Sequence, residues 1–89
     1  MIKSFQHKGL ESFFATGSKA RIQPHHAAKL SKQLLRLDLA VAPADMNVPG
    51  WKLHPLSNGD WSIWVNGNWR LTFKFAGENA LLVDYQDHH

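Results

Sequence analysis

The chain has 89 residues, 44% of them hydrophobic and 19% charged, with a net charge of +3 and no cysteine. That length holds one domain with a limited core, and the lack of cysteine excludes disulfides and thiolate metal sites. No apolar stretch approaches the roughly 20 residues of a membrane span, and the start of the chain, Met1-Ile2-Lys3-Ser4-Phe5, lacks the apolar region of a signal peptide, so a reducing cytoplasm is the expected location.

In chain order, residues 1–5 read as a short strand. Leu10, Phe13 and Phe14 fall at helical spacing, and Gly17 can close that helix in a left-handed conformation. Pro24 is placed to open a second helix. Ala27, Leu30, Leu34, Leu37 and Val41 then recur at alternating steps of three and four, an apolar stripe that Pro43 brings to an end. His25, Lys29, Lys32 and Arg36 cluster on the opposite face with no acid among them. One at a time they are an ordinary solvated face; together they suit a phosphate backbone. Up to Arg36 the bases Lys3, Lys8, Lys19, Arg21, Lys29, Lys32 and Arg36 face one acid, Glu11, whereas beyond Lys74 there are Glu78, Asp84 and Asp87 and no base. That polarity fits a basic face for an acidic partner.

From Trp51 the pattern changes to period two. Trp61, Ile63 and Val65 share one face and Ser62 and Trp64 the other; beyond Asn66-Gly67-Asn68, Trp69, Leu71 and Phe73 alternate with Arg70, Thr72 and Lys74. A two-residue Asn-Gly turn would set Ile63 opposite Arg70, placing core across from charge. A loop of Asn66, Gly67 and Asn68 instead pairs Val65 with Trp69, Ile63 with Leu71 and Trp61 with Phe73, and is preferred because register follows the buried face. Trp64 then lies across from Arg70. The runs predict strands over 51–54, 60–65, 69–75 and 80–86. Helices grouped before strands predict an α+β fold: two N-terminal helices packed on a twisted antiparallel sheet of about four to five strands.

The polar face of that sheet carries the chemistry. RNA brings its own nucleophile, the 2′-hydroxyl, so cleavage needs only a general base, a general acid and positive charge on the phosphorane. His54, in Lys52-Leu53-His54-Pro55, Arg70 on the hairpin, and Asp87-His88-His89 after the last strand are the candidates. Lys52 shares a face with His54 if this stretch is a strand. Trp64, among Ser62, Arg70, Thr72 and Lys74, is placed to stack a base, and Lys74 to meet a phosphate. Each has an ordinary role too: His54 a surface histidine, Arg70 an ion pair with Asp84 or Asp60, Asp87 the end of a strand. A metal site built from His54, Asp87 and His89 would need folding to gather them; the spacing offers no His-x-x-x-His on a helix. The metal-free, cofactor-free reading is preferred.

Met1-Ile2-Lys3-Ser4-Phe5 with His7-Lys8-Gly9-Leu10, Lys52-Leu53-His54-Pro55-Leu56, Trp61-Ser62-Ile63, Asn68-Trp69-Arg70 with Thr72-Phe73, and Asp84-Tyr85-Gln86-Asp87 with His89 occur in an order and spacing that resemble the HigB toxins of the RelE-like superfamily, the plasmid-maintenance killer proteins. The resemblance spans nearly the whole chain and implies a single toxin domain, 1–89, of RelE-like microbial RNase fold. It implies a ribosome-dependent endoribonuclease that cuts messenger RNA in the decoding site, leaving a 2′,3′-cyclic phosphate and a 5′-hydroxyl. It further implies a HigA-type antitoxin, through which alone the toxin would meet operator DNA. The family's catalytic histidine falls on His54, its arginine on Arg70, and its C-terminal Asp and His on Asp87 and His89. Many relatives carry a catalytic lysine where this chain has Ser57, in a shorter loop, and a tyrosine where it has His88. Lys52 or Lys74 are the candidates to replace that lysine; Lys29, Lys32 and Arg36 are the candidates to meet ribosomal RNA. The alternative is a non-catalytic module of the same fold that binds RNA or the antitoxin.

Overall fold

The computed structural model describes residues 1–87; the candidates His88 and His89 lie outside the described residues. The first helix, α1, is Lys8–Thr16. His7 caps it, its Nδ1 accepting from the Leu10 amide at 2.9 Å, and Gly17 ends it at φ +80°, a left-handed conformation that glycine adopts without a Cβ penalty. After a 3-10 turn at Pro24–His26, the second helix, α2, is Ala27–Leu39. Its stripe buries Ala27, Leu30, Leu34 and Leu37 as the spacing predicts, and also Gln33. Val41 departs from the stripe and is exposed. Ala40 already has extended torsions (φ −68°, ψ 142°), so the helical phase is lost before Val41. The Asp45 carboxylate then takes the amides of Val41 and Ala42 at 2.9 and 3.2 Å.

The sheet is an antiparallel meander of β1 (His54–Pro55), β2 (Trp61–Asn66), β3 (Trp69–Ala76) and β4 (Asn79–Asp87), in that spatial order. The two helices and this four-stranded sheet are the α+β arrangement expected from the sequence. Two strands are shorter than predicted. Lys52 sits at φ +53°, so the chain bends there and only His54 and Pro55 pair with β2. At the other edge the first residues make isolated parallel bridges, Ile2 with Ala80 and Phe5 with Val83. Here β4 carries an extra residue around Leu82 (φ +52°), a bulge whose amide donates to Ser4 Oγ at 2.9 Å.

The hairpin register is Trp61 with Phe73, Ser62 with Thr72, Ile63 with Leu71 and Trp64 with Arg70, as the buried face demands. The expected Val65–Trp69 pair does not form. Trp69 pairs with Asn66 across a bulge at Val65, and Gly67, at φ +54°, is the first residue of a tight two-residue turn. The bulge lets a short turn and an apolar register coexist. One sheet face buries Ile63, Leu71, Phe73, Val83 and Tyr85 with Leu10, Phe13, Leu30, Leu34 and Leu37 of the helices. Among the described residues no helix is long and apolar enough to cross a membrane.

Candidate active site

The other sheet face is set by alternation. One cross-strand row runs His54, Ser62, Thr72, Asp84, and the next runs Trp64, Arg70, Gln86. Ser62 and Thr72 in the middle are buried, so the groups that a ligand can reach stand on the flanks: His54, Trp64, Arg70 and Lys74. His54 and Arg70 are separated by two strand spacings and two residues, about 10 Å across the sheet and about 7 Å along it between Cα atoms.

His54 is exposed at the end of the bend, and its Nδ1–H donates to the Lys52 carbonyl at 3.3 Å. A carbonyl only accepts, so this bond selects the tautomer whose Nε2 carries the free lone pair. The left-handed torsion of Lys52 places that carbonyl. Outside glycine this conformation costs on the order of 1 kcal/mol, and here the strain sits next to a candidate catalytic group.

Arg70 is half-buried, and its Nη1 donates to the carbonyls of Gly67 and Trp69, both at 3.0 Å. The ordinary role expected for it, an ion pair with Asp84 or Asp60, is not what the fold provides. Asp60 pairs with Lys74 at 2.9 Å, and Asp84 accepts from the Tyr85 amide and the Gln86 side chain. Among the described residues no carboxylate neutralises the guanidinium. Lys74, by contrast, is a paired cation.

Trp64 is held from three sides. Its indole N–H donates to the Gly67 carbonyl at 2.9 Å, its amide to the Trp51 carbonyl at 2.6 Å, and its carbonyl accepts from Gln33 Nε2 at 3.0 Å. The ring is already in use: Lys29 Nζ lies 4.2 Å and Lys52 Nζ 4.8 Å from its centroid. Lys29 therefore leaves the basic stripe of α2 and joins the site. Lys32 stays exposed, and Arg36 Nε donates to the Asp45 carbonyl at 2.8 Å.

Asp87 pairs with Trp69, so alternation puts it on the face of Tyr85, opposite to Arg70 and Gln86. Under that end of β4 lies a cluster that sequence reasoning missed. His26 is 2% exposed, and its Nδ1 stands 2.6 Å from the Tyr85 hydroxyl, which donates to it. Tyr85 stacks on Trp69, with centroids 4.5 Å apart at 26°. Burial, then the charges of His25 and Lys29, hold the His26 imidazole below its ordinary pKa. Burial pushes the Tyr85 phenol up, against a hydrogen bond from the Gln23 backbone and with help from Asp87. His26 and Tyr85 are 59 positions apart, and no local pattern links them. Lys29 had a signal, a basic stripe on α2, but its direction depends on how the helix is seated.

A covered sheet face backed by helices and an open face bearing imidazole, guanidinium and lysine groups define a small α+β protein with a cationic, histidine-bearing surface. The chain matches, over residues 3–89, the family described as the RelE-like toxin of the type II toxin-antitoxin system HigB, and it belongs to that family. It is 38% identical over 92 aligned positions to Endoribonuclease HigB of Proteus vulgaris, with the whole of both chains covered.

Proposed function

We propose that this toxin is a metal-free endoribonuclease that inhibits translation by cutting ribosome-bound messenger RNA in the cytoplasm, and that a HigA-type antitoxin neutralises it. The observation that carries the reading is the guanidinium of Arg70, which no carboxylate neutralises among the described residues, on the same sheet face as the tautomer-fixed imidazole of His54, in a family of type II toxins. His54 Nε2 removes the 2′-hydroxyl proton. The 2′-oxygen attacks the adjacent phosphorus, the P–O5′ bond breaks, and a second histidine, His89 or His88, returns a proton to the departing 5′-oxygen. Arg70 stabilises the charge on the phosphorane. Asp87, whose strand position faces away from Arg70, acts only through the neighbouring histidine, which it orients. Lys52, Lys29 and Trp64 hold the RNA strand, Lys74 contributes where Asp60 releases it, and Lys32 and Arg36 meet ribosomal RNA.

The test is Arg70→Ala. Loss of one pre-placed cation reduces cleavage by about 10²–10³-fold and relieves growth arrest, with antitoxin binding retained. Equal toxicity at matched expression refutes this site. A second reading, binding without cleavage, is favoured by Ser57 at the position where many relatives carry lysine. Primer extension on ribosome-bound messages separates the two: blocked translation without new 5′ ends supports the second.

A further inference from the structure

We propose that Lys29 and Lys52, both seated on the indole of Trp64, form a clamp for one backbone phosphate of single-stranded RNA beside the scissile position. The clamp rests on the endoribonuclease reading only for the identity of the strand; its chemistry stands on the geometry. The two ammonium groups lie 4.2 and 4.8 Å from one ring centroid, inside the roughly 6 Å range of cation–π attraction. They arrive from different elements, one from α2 and one from the bend before β1. Among the described residues neither ammonium has a carboxylate partner; the ion pairs are Lys8 with Glu11 and Lys74 with Asp60.

Two like charges gathered on one ring repel. Burial, and then the charge of Lys52, hold the Lys29 ammonium below the usual lysine value. An anion within reach of both relieves that penalty, and compact ammonium point charges suit a phosphate. The platform itself is rigid, since Trp64 is tied to Gly67, Trp51 and Gln33. It also borders both catalytic candidates. The indole N–H and Arg70 Nη1 converge on the same Gly67 carbonyl, and the Lys52 carbonyl holds His54. Trp64 therefore acts as a seat for cations, in place of the base-stacking surface that the sequence suggests. The clamp supplies the positive charge that Ser57 does not.

The experiment measures binding of a short single-stranded RNA, 2′-O-methylated throughout so that it cannot be cut, over a range of salt. The parent binds it. Lys29→Met with Lys52→Met weakens binding about tenfold at low salt and lowers the slope of log K against log salt by about 0.7, the value for one single-strand phosphate. Either lysine alone lowers it by less. Trp64→Leu weakens binding in the parent and has no further effect in the lysine-free background. Trp64→Phe, which keeps an aromatic seat, is the milder variant and confirms folding. An unchanged slope in the double variant, or no binding by the parent, overturns the clamp. So does an equal Trp64→Leu loss in both backgrounds, which would mean that the ring stacks a base. Cleavage of ribosome-bound message by the parent is measured alongside. Cleavage without a lysine-dependent slope leaves the enzyme reading standing and the clamp refuted; the converse does the opposite.

Discussion

Removing the Tyr85 hydroxyl with Tyr85→Phe tests the buried cluster beneath the end of β4. The ring and its stack on Trp69 remain, but His26 Nδ1 loses its 2.6 Å partner. His26 Nε2 is already without one among the described residues. A buried acceptor left unsatisfied costs about 1–3 kcal/mol, and each kcal/mol lowers the melting temperature by about 4–8 °C in a domain of this size. Urea unfolding followed by tryptophan fluorescence measures it. The internal control is His26→Leu, which removes both ring nitrogens: Tyr85→Phe then strands no acceptor and costs little. The pH dependence has a definite sign. The His26 value is lowered in the fold, so below about 6.5 the unfolded chain binds more protons. Stability is lost as pH falls through that range and levels off below the folded-state value; His26→Leu removes that part of the acid limb. The Tyr85 value is raised, so stability also falls as pH rises above about 10. Equal cost of Tyr85→Phe in both backgrounds refutes the hydrogen-bond reasoning.

Two further expectations follow. Leu82 is 48% exposed and holds φ +52°; Leu82→Asn should stabilise the fold by about 1 kcal/mol, because asparagine tolerates the left-handed region, and an unchanged urea midpoint would count against strain at the bulge. Deleting residues 88 and 89 should abolish cleavage on ribosomes, because the proposed mechanism assigns protonation of the 5′-oxygen to a histidine there, and retained cleavage would move the general acid elsewhere.

Periodicity carried most of the fold. The stripe on α2 and the alternation from Trp61 onward record which side of each element meets the core, and burial enforces both. It failed where the backbone leaves its regular torsions. Ala40 drops Val41 out of phase, and the bulge at Val65 inserts a residue that alternation cannot register. The bend at Lys52 removes the strand that would have aligned Lys52 with His54. At the site, residue types were legible but their pairing was not. Arg70 and Lys74 look equivalent in an alternating strand, yet Asp60 pairs with Lys74, and among the described residues no carboxylate pairs with Arg70. Which cation a carboxylate meets depends on side-chain reach across strands, and sequence spacing does not encode it.

That pairing bears on the absence of lysine at position 57. With Lys74 tied to Asp60 at 2.9 Å, the site would hold only Arg70 and Lys52 as cations without a carboxylate partner among the described residues if α2 were seated a turn away. Lys29, half-buried at the edge of α2, closes the gap by reaching the Trp64 ring. Gln33, one helical turn on, sets that seating, because its side chain donates to the Trp64 carbonyl. A helix otherwise devoted to the core thus supplies charge to the opposite side of the sheet. The position of the cation, and not its place in the sequence, decides whether it can meet a phosphate.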